Sequence, residues 1–389
     1  MKLLVYPPFA PPGIMPYSIA HLKGMIDEPV KAIDLNAAFH ARRFNLNMDE
    51  LAHALPVYEE NNRRILNGGV PDHFEELLEL IRREGPELVA FSLVYNSQCF
   101  YAQKLIEHLD VPIILGGPAV SPKLKGTHIT AAQLKDYFWL KDGAPDFSDF
   151  YPEQYLSPQV IPTKSSEGCF HAQCAFCTHH THNTYRELPL HLDGQYLFFI
   201  DDMIPLRRLK EISARITPGT RWWAQLRPSR DLVPELRNIR GLRSVAWGVE
   251  SGSQRMLNRM RKGTKVEDIA AVLKEAKRLG IINTVYIMSG FPGETKEDFE
   301  KTIGFLREND PYIDLVSTSF FGLQKGSYAY EHPEEFGISI DAKERTYLDE
   351  AISFTPAQED YRKRYRKTIE RINKIPKEYM YMKEQTLLL

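Results

Sequence analysis

Three of the four cysteines in this 389-residue chain are crowded onto one short segment: Cys169, Cys174 and Cys177. A disulfide scaffold would use more cysteines, spread through a shorter chain. Three thiolates on one loop can instead ligate three irons of a cubane cluster and leave the fourth iron open to a small molecule. The same loop carries His171, His179, His180 and His182. Cysteine with histidine can also complete a tetrahedral zinc site, so the loop alone leaves both chemistries open. Cys99 follows an apolar run and reads as a buried small hydrophobe.

Further polar groups stand at the ends of strand-like runs downstream. Phe198-Phe199-Ile200 is followed by Asp201-Asp202, and Trp223-Ala224-Gln225-Leu226 by Arg227. Trp247-Gly248-Val249 leads into Glu250-Ser251-Gly252-Ser253. Tyr286-Ile287-Met288-Ser289 leads into Gly290-Phe291-Pro292-Gly293-Glu294-Thr295. Arg227 would suit a bidentate pair with a carboxylate. Glu294 with Thr295 reads as a helix start. The glycines allow backbone to come close to a flat ligand.

The elements that must position these groups are α/β throughout. In the first half, strand-like runs at Lys2–Tyr6, Val30–Leu35, Leu88–Val94 and Ile113–Leu115 alternate with helical patterns. The clearest helix is His73–Arg83, with Phe74, Leu77, Leu78 and Ile81 on one face. This order predicts a doubly wound Rossmann-like domain over residues 1–150, its ligand at the carboxyl ends of the strands. Residues 119 to 160 lack a clear period and read as a linker between domains. From 151 to 330 a second alternation has strands at Tyr196–Ile200, Arg221–Leu226, Ser244–Val249, Asn283–Met288 and Asp314–Phe321. About six β/α units fit, a partial (β/α)6 barrel. Residues 331–389 read as a C-terminal helical extension, with helices around Lys343–Ala351 and Ala357–Ile372.

Taken in order, the cysteine loop and the four strand ends resemble the radical S-adenosylmethionine superfamily. That family's loop usually runs C-x3-C-x2-C with an aromatic before the last cysteine. Phe176 fills the aromatic place, whereas four residues, not three, separate Cys169 from Cys174. The resemblance implies a 4Fe–4S cluster on Cys169, Cys174 and Cys177, with S-adenosylmethionine on the open iron. It implies Phe176 beside the adenine and Asp202 at the methionine amino group. Arg227 would face cofactor or substrate, Glu250 and Ser251 the ribose or methionine part, and Met288 and Gly290 the adenine.

The first domain resembles the cobalamin-binding domain that precedes many such enzymes. The residues are Val5-Tyr6-Pro7-Pro8, Asp34-Leu35-Asn36, Phe91-Ser92-Leu93 and Leu115-Gly116-Gly117-Pro118. The resemblance implies cobalamin contacts at Ser92, Gly116 and Gly117, with Leu93 and Pro118 as neighbours. The D-x-H-x-x-G signature of a cobalt-ligating histidine is missing: before His21-Leu22-Lys23-Gly24, Ile19 stands where the aspartate belongs. The lower face of a bound cobalt would then lack a histidine ligand.

Bulk properties are ordinary for a soluble globular protein. Hydrophobic residues are 43%, charged residues 26% and the formal net charge is −2. That balance offers no footprint for nucleic acid or an anionic membrane. No apolar run reaches the ~18 residues of a membrane span. The opening MKLLVYPPFAPPG reads as a strand and a loop, which predicts a cytoplasmic protein. The expected activity is cobalamin-dependent C-methylation of an unactivated carbon. The substrate would be a peptide or protein side chain or a small biosynthetic intermediate, with an external electron donor. One alternative is a radical enzyme without cobalamin, performing a cyclisation, rearrangement or oxidation. Another is a non-catalytic metal-binding interaction module.

Overall fold

A computed structural model describes residues 1–178, 185–340, 352–355 and 374–389. His179, His180 and His182, and the helices expected around Lys343–Ala351 and Ala357–Ile372, lie outside the described residues. The chain divides into two compact units, the first Met1–Pro162 and the second beginning at Thr163.

Five strands build the sheet of the first unit: β1 (Lys2–Tyr6), β2 (Val30–Asp34), β3 (Leu88–Ser92), β4 (Ile113–Gly116) and β5 (Thr127–His128). Their order is β2-β1-β3-β4-β5, and every pairing is parallel. Apolar runs such as Leu3-Leu4-Val5 are buried because helices cover both faces of a parallel sheet. On one face, helix Phe74–Arg82 buries Phe74, Leu77, Leu78 and Ile81. Each such side chain contributes roughly 1.5–3 kcal/mol of transfer free energy. On the other face lies helix Tyr17–Met25, whose Ile19 and Ala20 are buried. Gly24 of that helix approaches the chain near Ala144 so closely that a Cβ would stand 1.8 Å from the Ala144 carbonyl oxygen. Gly24 is therefore a packing residue.

Two findings differ from the sequence expectation here. Residues 119–160 are not a spacer: they supply β5, and Phe138, Phe150 and Tyr155 enter the core. Helices Leu35–Arg43 and Leu55–Leu66 add a further layer, with Phe39 and Tyr58 in the core.

The second unit is built on a seven-stranded sheet that the chain enters along β6 (Val160–Thr163). The cysteine loop lies between β7 (Ser166–Glu167) and β8 (Arg186–Glu187), a short antiparallel pair. The main sheet then takes β9 (Tyr196–Phe199), β10 (Arg221–Leu226), β11 (Leu242–Glu250), β12 (Ile282–Ser289) and β13 (Leu315–Phe320). A short antiparallel pair, β14 (Ser339–Ile340) with β15 (Phe354–Thr355), precedes β16 (Lys374–Pro376). The sheet order is β16-β13-β12-β11-β10-β9-β6, and the pairings from β9 to β16 are parallel. The tail is thus not helical alone, because β16 extends the main sheet before helix Lys377–Thr386. Helix Lys296–Glu308 starts on a capping box in which Thr295 and Asp298 satisfy each other's backbone N–H groups.

Candidate functional site

The cysteine loop begins where Asp201, just past β9, reaches back to the chain before it. The buried Asp201 carboxylate accepts the Ser165 N–H at 2.9 Å and the Ser165 and Ser166 hydroxyls at 2.7 Å each. Burial pushes this carboxyl up, and those donors hold the rise in check. Asp202, the expected cofactor contact, is exposed beside it. Of the Asp-Asp pair, the first clamps the base of the loop and the second is presented outward.

The long gap between the first two cysteines is taken up by a left-handed residue, Ala172, at φ 46°. This conformation costs an L-residue roughly 1–2 kcal/mol. The loop recovers it by docking on the turn Met260–Gly263. The Ala175 N–H donates to the Met260 carbonyl at 2.8 Å, and His171 Nε2 donates to the Arg261 carbonyl at 3.1 Å. Arg227 Nε donates to the Lys262 carbonyl at 3.1 Å, and its Nη2 to the Gly263 carbonyl. The guanidinium fork therefore grips a turn of backbone.

Charge gathers around the thiols. Lys262 is buried, and its Nζ donates to Glu250 Oε1 at 2.8 Å. Burial works against the ammonium, but Glu250 and then Cys174 outweigh it and hold its pKa above the ordinary value. Burial pushes the Cys174 thiol up to about 11, with Lys262 opposing and Cys177 and Cys169 adding to the rise. All three thiols thus share one electrostatic neighbourhood. Among the described residues, no three His, Cys, Asp or Glu side chains converge on one point as a mononuclear metal site requires. A cubane takes each thiolate on a different iron, and its ligands must be deprotonated. A loop of three thiols facing a buried ammonium and a half-buried guanidinium fits that donor set.

The strand ends behave differently from one another. Glu250 closes β11 at φ 65° where the pairing to β12 shifts register, and such outliers cluster at functional sites. Ser251 is turned away: its hydroxyl lies 3.0 Å from Thr302 Oγ1 and accepts the Ser253 N–H at 3.1 Å. Phe176 and Met288 pack, partly buried, against one apolar cluster that includes Ala175, Met256, Met260 and Phe291. The Gly290 N–H donates to Glu294 Oε2 at 2.6 Å. Glu294 is thus more than a helix start: it holds the turn after β12, and burial pushes its carboxyl up to about 7.

In the first unit the strand order reverses between β1 and β3, which opens a crevice at the carboxyl ends. Ser92 ends β3 there, its hydroxyl donating to Ser18 Oγ at 3.0 Å. Leu93 is buried in the core. Gly117 is held at φ 113°, and a Cβ there would stand 2.2 Å from the Leu93 carbonyl oxygen. Close backbone packing accounts for Gly117. Gly116 differs, since a Cβ there would meet nothing within 4 Å, and Pro118 is exposed. Asp34, quoted in the sequence only as part of the Asp34-Leu35-Asn36 stretch, accepts from the Tyr155 hydroxyl at 2.8 Å and caps helix Leu35–Arg43. Cys99 is buried as expected, its thiol pushed up to about 11 by burial.

Residues 199–306 match the family model for the Radical SAM superfamily. An uncharacterized methyltransferase of Pyrococcus horikoshii is 29% identical over 208 residues, which is 46% of this chain and 45% of that protein. A probable threonylcarbamoyladenosine tRNA methylthiotransferase of Methanocaldococcus jannaschii is 34% identical over 124 residues, 31% of this chain and 27% of that protein. The chain spans less than half the length of these curated relatives. Among solved structures it is similar to the radical S-adenosylmethionine methyltransferase TsrM from Kitasatospora setae, with cobalamin and a 4Fe–4S cluster bound. That match has a TM-score of 0.58 and 15% identity, covering 88% of this chain and 77% of TsrM. The cobalamin-dependent radical enzyme OxsB matches with a TM-score of 0.58 and 12% identity, over 90% of this chain and 64% of OxsB. At such identities the likeness is one of fold. The family match crosses the strands that carry Glu250 and Met288, and residues 199–306 of this chain form a radical SAM domain.

Proposed function

We propose that this chain is a cobalamin-dependent radical methyltransferase acting on an unactivated carbon. When bound, a 4Fe–4S cluster supplies the electron that splits the sulfonium of S-adenosylmethionine, and cobalamin supplies the methyl group. Cys169, Cys174 and Cys177 would hold the cluster. Phe176 and Met288 offer apolar surface for the adenine, and the Gly290 turn, fixed by Glu294, borders it. Glu250 would accept from ribose hydroxyls or the methionine ammonium. Ser251 keeps the end of β11 in place through Thr302. Asp202, exposed beside Asp201, would meet an amino group. In the first unit Ser92, Leu93, Gly116, Gly117 and Pro118 line the carboxyl edge of the sheet, and the open space at Gly116 suits a flat group. The substrate class is a peptide or protein side chain or a small molecule.

The observation that carries this reading is the gathering of three thiols with Lys262, Arg227 and Glu250 beside the ends of parallel strands. Cobalt content after anaerobic purification from cobalamin-fed cells tests the methyl-transfer part. Stoichiometric cobalt alongside iron and sulfide is the expected result. A chain with its cluster but without cobalt, even after reconstitution, would remove cobalamin from the account. The second reading is then radical chemistry without cobalamin: a cyclisation, rearrangement or oxidation. Products separate the two, because methyl transfer leaves S-adenosylhomocysteine alongside 5′-deoxyadenosine.

A further inference from the structure

Lys262 has no part in the roles assigned so far, yet the fold spends much to place it. It is 4% exposed, with its ammonium 2.8 Å from Glu250 Oε1 and 5.6 Å from the Phe176 ring centroid. Gly248 leaves room for it, since a Cβ there would stand 2.8 Å from Nζ. Its own backbone belongs to the turn that docks the cysteine loop. From Met260 to Gly263, four successive carbonyls accept from Ala175, His171 and, twice, Arg227. One short segment therefore fixes the loop with its backbone and delivers a cation with its side chain.

An ion pair with Glu250 does not by itself explain this cost. A buried pair is often no more stabilising than apolar residues of the same volume. Lys262 also lies in the repulsive field of Arg227, and both cations act on His171. Arg227 faces Asp231 as well as Cys174 and Cys169, and Cys174 also acts on Lys262, so both cations are placed toward the thiols.

We propose that Lys262 is a positioning residue for the cluster's charge: its fixed ammonium lets the cluster accept an electron at a less negative potential. This rests on the cluster reading above. Adding an electron to a thiolate-held cluster adds negative charge, and a nearby fixed cation favours the reduced form. At the effective dielectric of buried protein sites, about 20, even a charge about 12 Å from a redox centre is worth about a factor of ten, which sets the least effect expected.

The test is a reductive titration of the anaerobically reconstituted chain, without S-adenosylmethionine, using dithionite and mediator dyes. The reduced cluster is followed by electron paramagnetic resonance. Wild type, Lys262→Met, Lys262→Gln and Lys262→Arg are compared, with the exposed Lys274→Met as control. Both neutral variants should keep their iron and show at least an about tenfold lower ratio of reduced to oxidised cluster at fixed potential. That equals about 59 mV for a one-electron couple. Lys262→Arg should restore the wild-type value, and Lys274→Met should not move it. An unchanged potential in neutral variants with full clusters overturns the proposal. Loss of iron from both neutral variants overturns it too, because the ammonium would then serve assembly and not potential. A wild-type chain that yields no iron–sulfur signal would be a different failure, that of the cluster reading itself.

Discussion

Replacing Gly263 by alanine should undo the docking of the cysteine loop. Gly263 sits at φ 65°, and a Cβ there would stand 2.7 Å from Arg227 Nη2 and 3.1 Å from His171 Cε1. Backbone strain alone costs roughly 1–2 kcal/mol. The clash adds to this by pushing Arg227 off the Gly263 carbonyl, and a hydrogen bond from a charged group is worth about 1.5–3 kcal/mol. The sum is about 2.5–5 kcal/mol, centred on the turn that holds the loop. Gly280 supplies the control: it has φ 75°, but a Cβ there meets nothing within 4 Å. Gly280→Ala should therefore show the strain without the clash. The assay is iron and sulfide per chain after anaerobic reconstitution, with thermal unfolding in parallel. Gly263→Ala should lose most of its iron and unfold some 5–15 °C lower, while Gly280→Ala keeps its iron and shifts by a few degrees. Equal iron content in the two variants would refute the reasoning, because the steric contact is all that separates them.

Other consequences can be checked as directly. Cys174→Ala should abolish 5′-deoxyadenosine formation, whereas Cys99→Ala should leave iron content unchanged; iron analysis and product chromatography decide both. Gly116→Val should keep the first unit folded, since a Cβ there meets no atom within 4 Å, yet sharply reduce cobalt retention. Tyr155→Phe leaves the buried Asp34 without its 2.8 Å donor and should cost about 1–3 kcal/mol in denaturant unfolding. Glu384 is fully buried, which raises its carboxyl to about 7 from an ordinary 4.5. The folded state then binds more protons than the unfolded one between those values, so this group's contribution to stability falls as pH rises from about 4.5 to about 7. The loss is about 3 kcal/mol. Glu384→Gln should flatten that part of the pH–stability profile; an unaltered slope would show that the group is not buried as a neutral acid.

Sequence patterns revealed most strands because a covered parallel sheet leaves continuous apolar runs, as in Leu88–Ser92 and Arg221–Leu226. Helices Leu35–Arg43 and Leu55–Leu66 escaped because each carries many polar residues, and their burial comes from tertiary packing. The short β16 escaped for the same kind of reason, as its place depends on a neighbour more than fifty residues upstream. Within the site, the cysteines and Glu250 could be singled out from residue type and position. The choice between Asp201 and Asp202 could not, because alternation breaks down where a strand ends. Arg227 also holds backbone carbonyls, partners that no residue type announces. Neither residue type nor spacing marks Lys262 in the sequence. Its burial follows from the space above Gly248, a contact set by the fold.

The most direct test of the central claim is a single-turnover assay of the anaerobically reconstituted chain with S-adenosylmethionine and dithionite. Its readout is 5′-deoxyadenosine from wild type and from Cys174→Ala side by side. The account predicts product from the wild type and none from the variant. A wild-type chain that retains zinc without sulfide and forms no 5′-deoxyadenosine, or a variant that forms it at the wild-type rate, would contradict it.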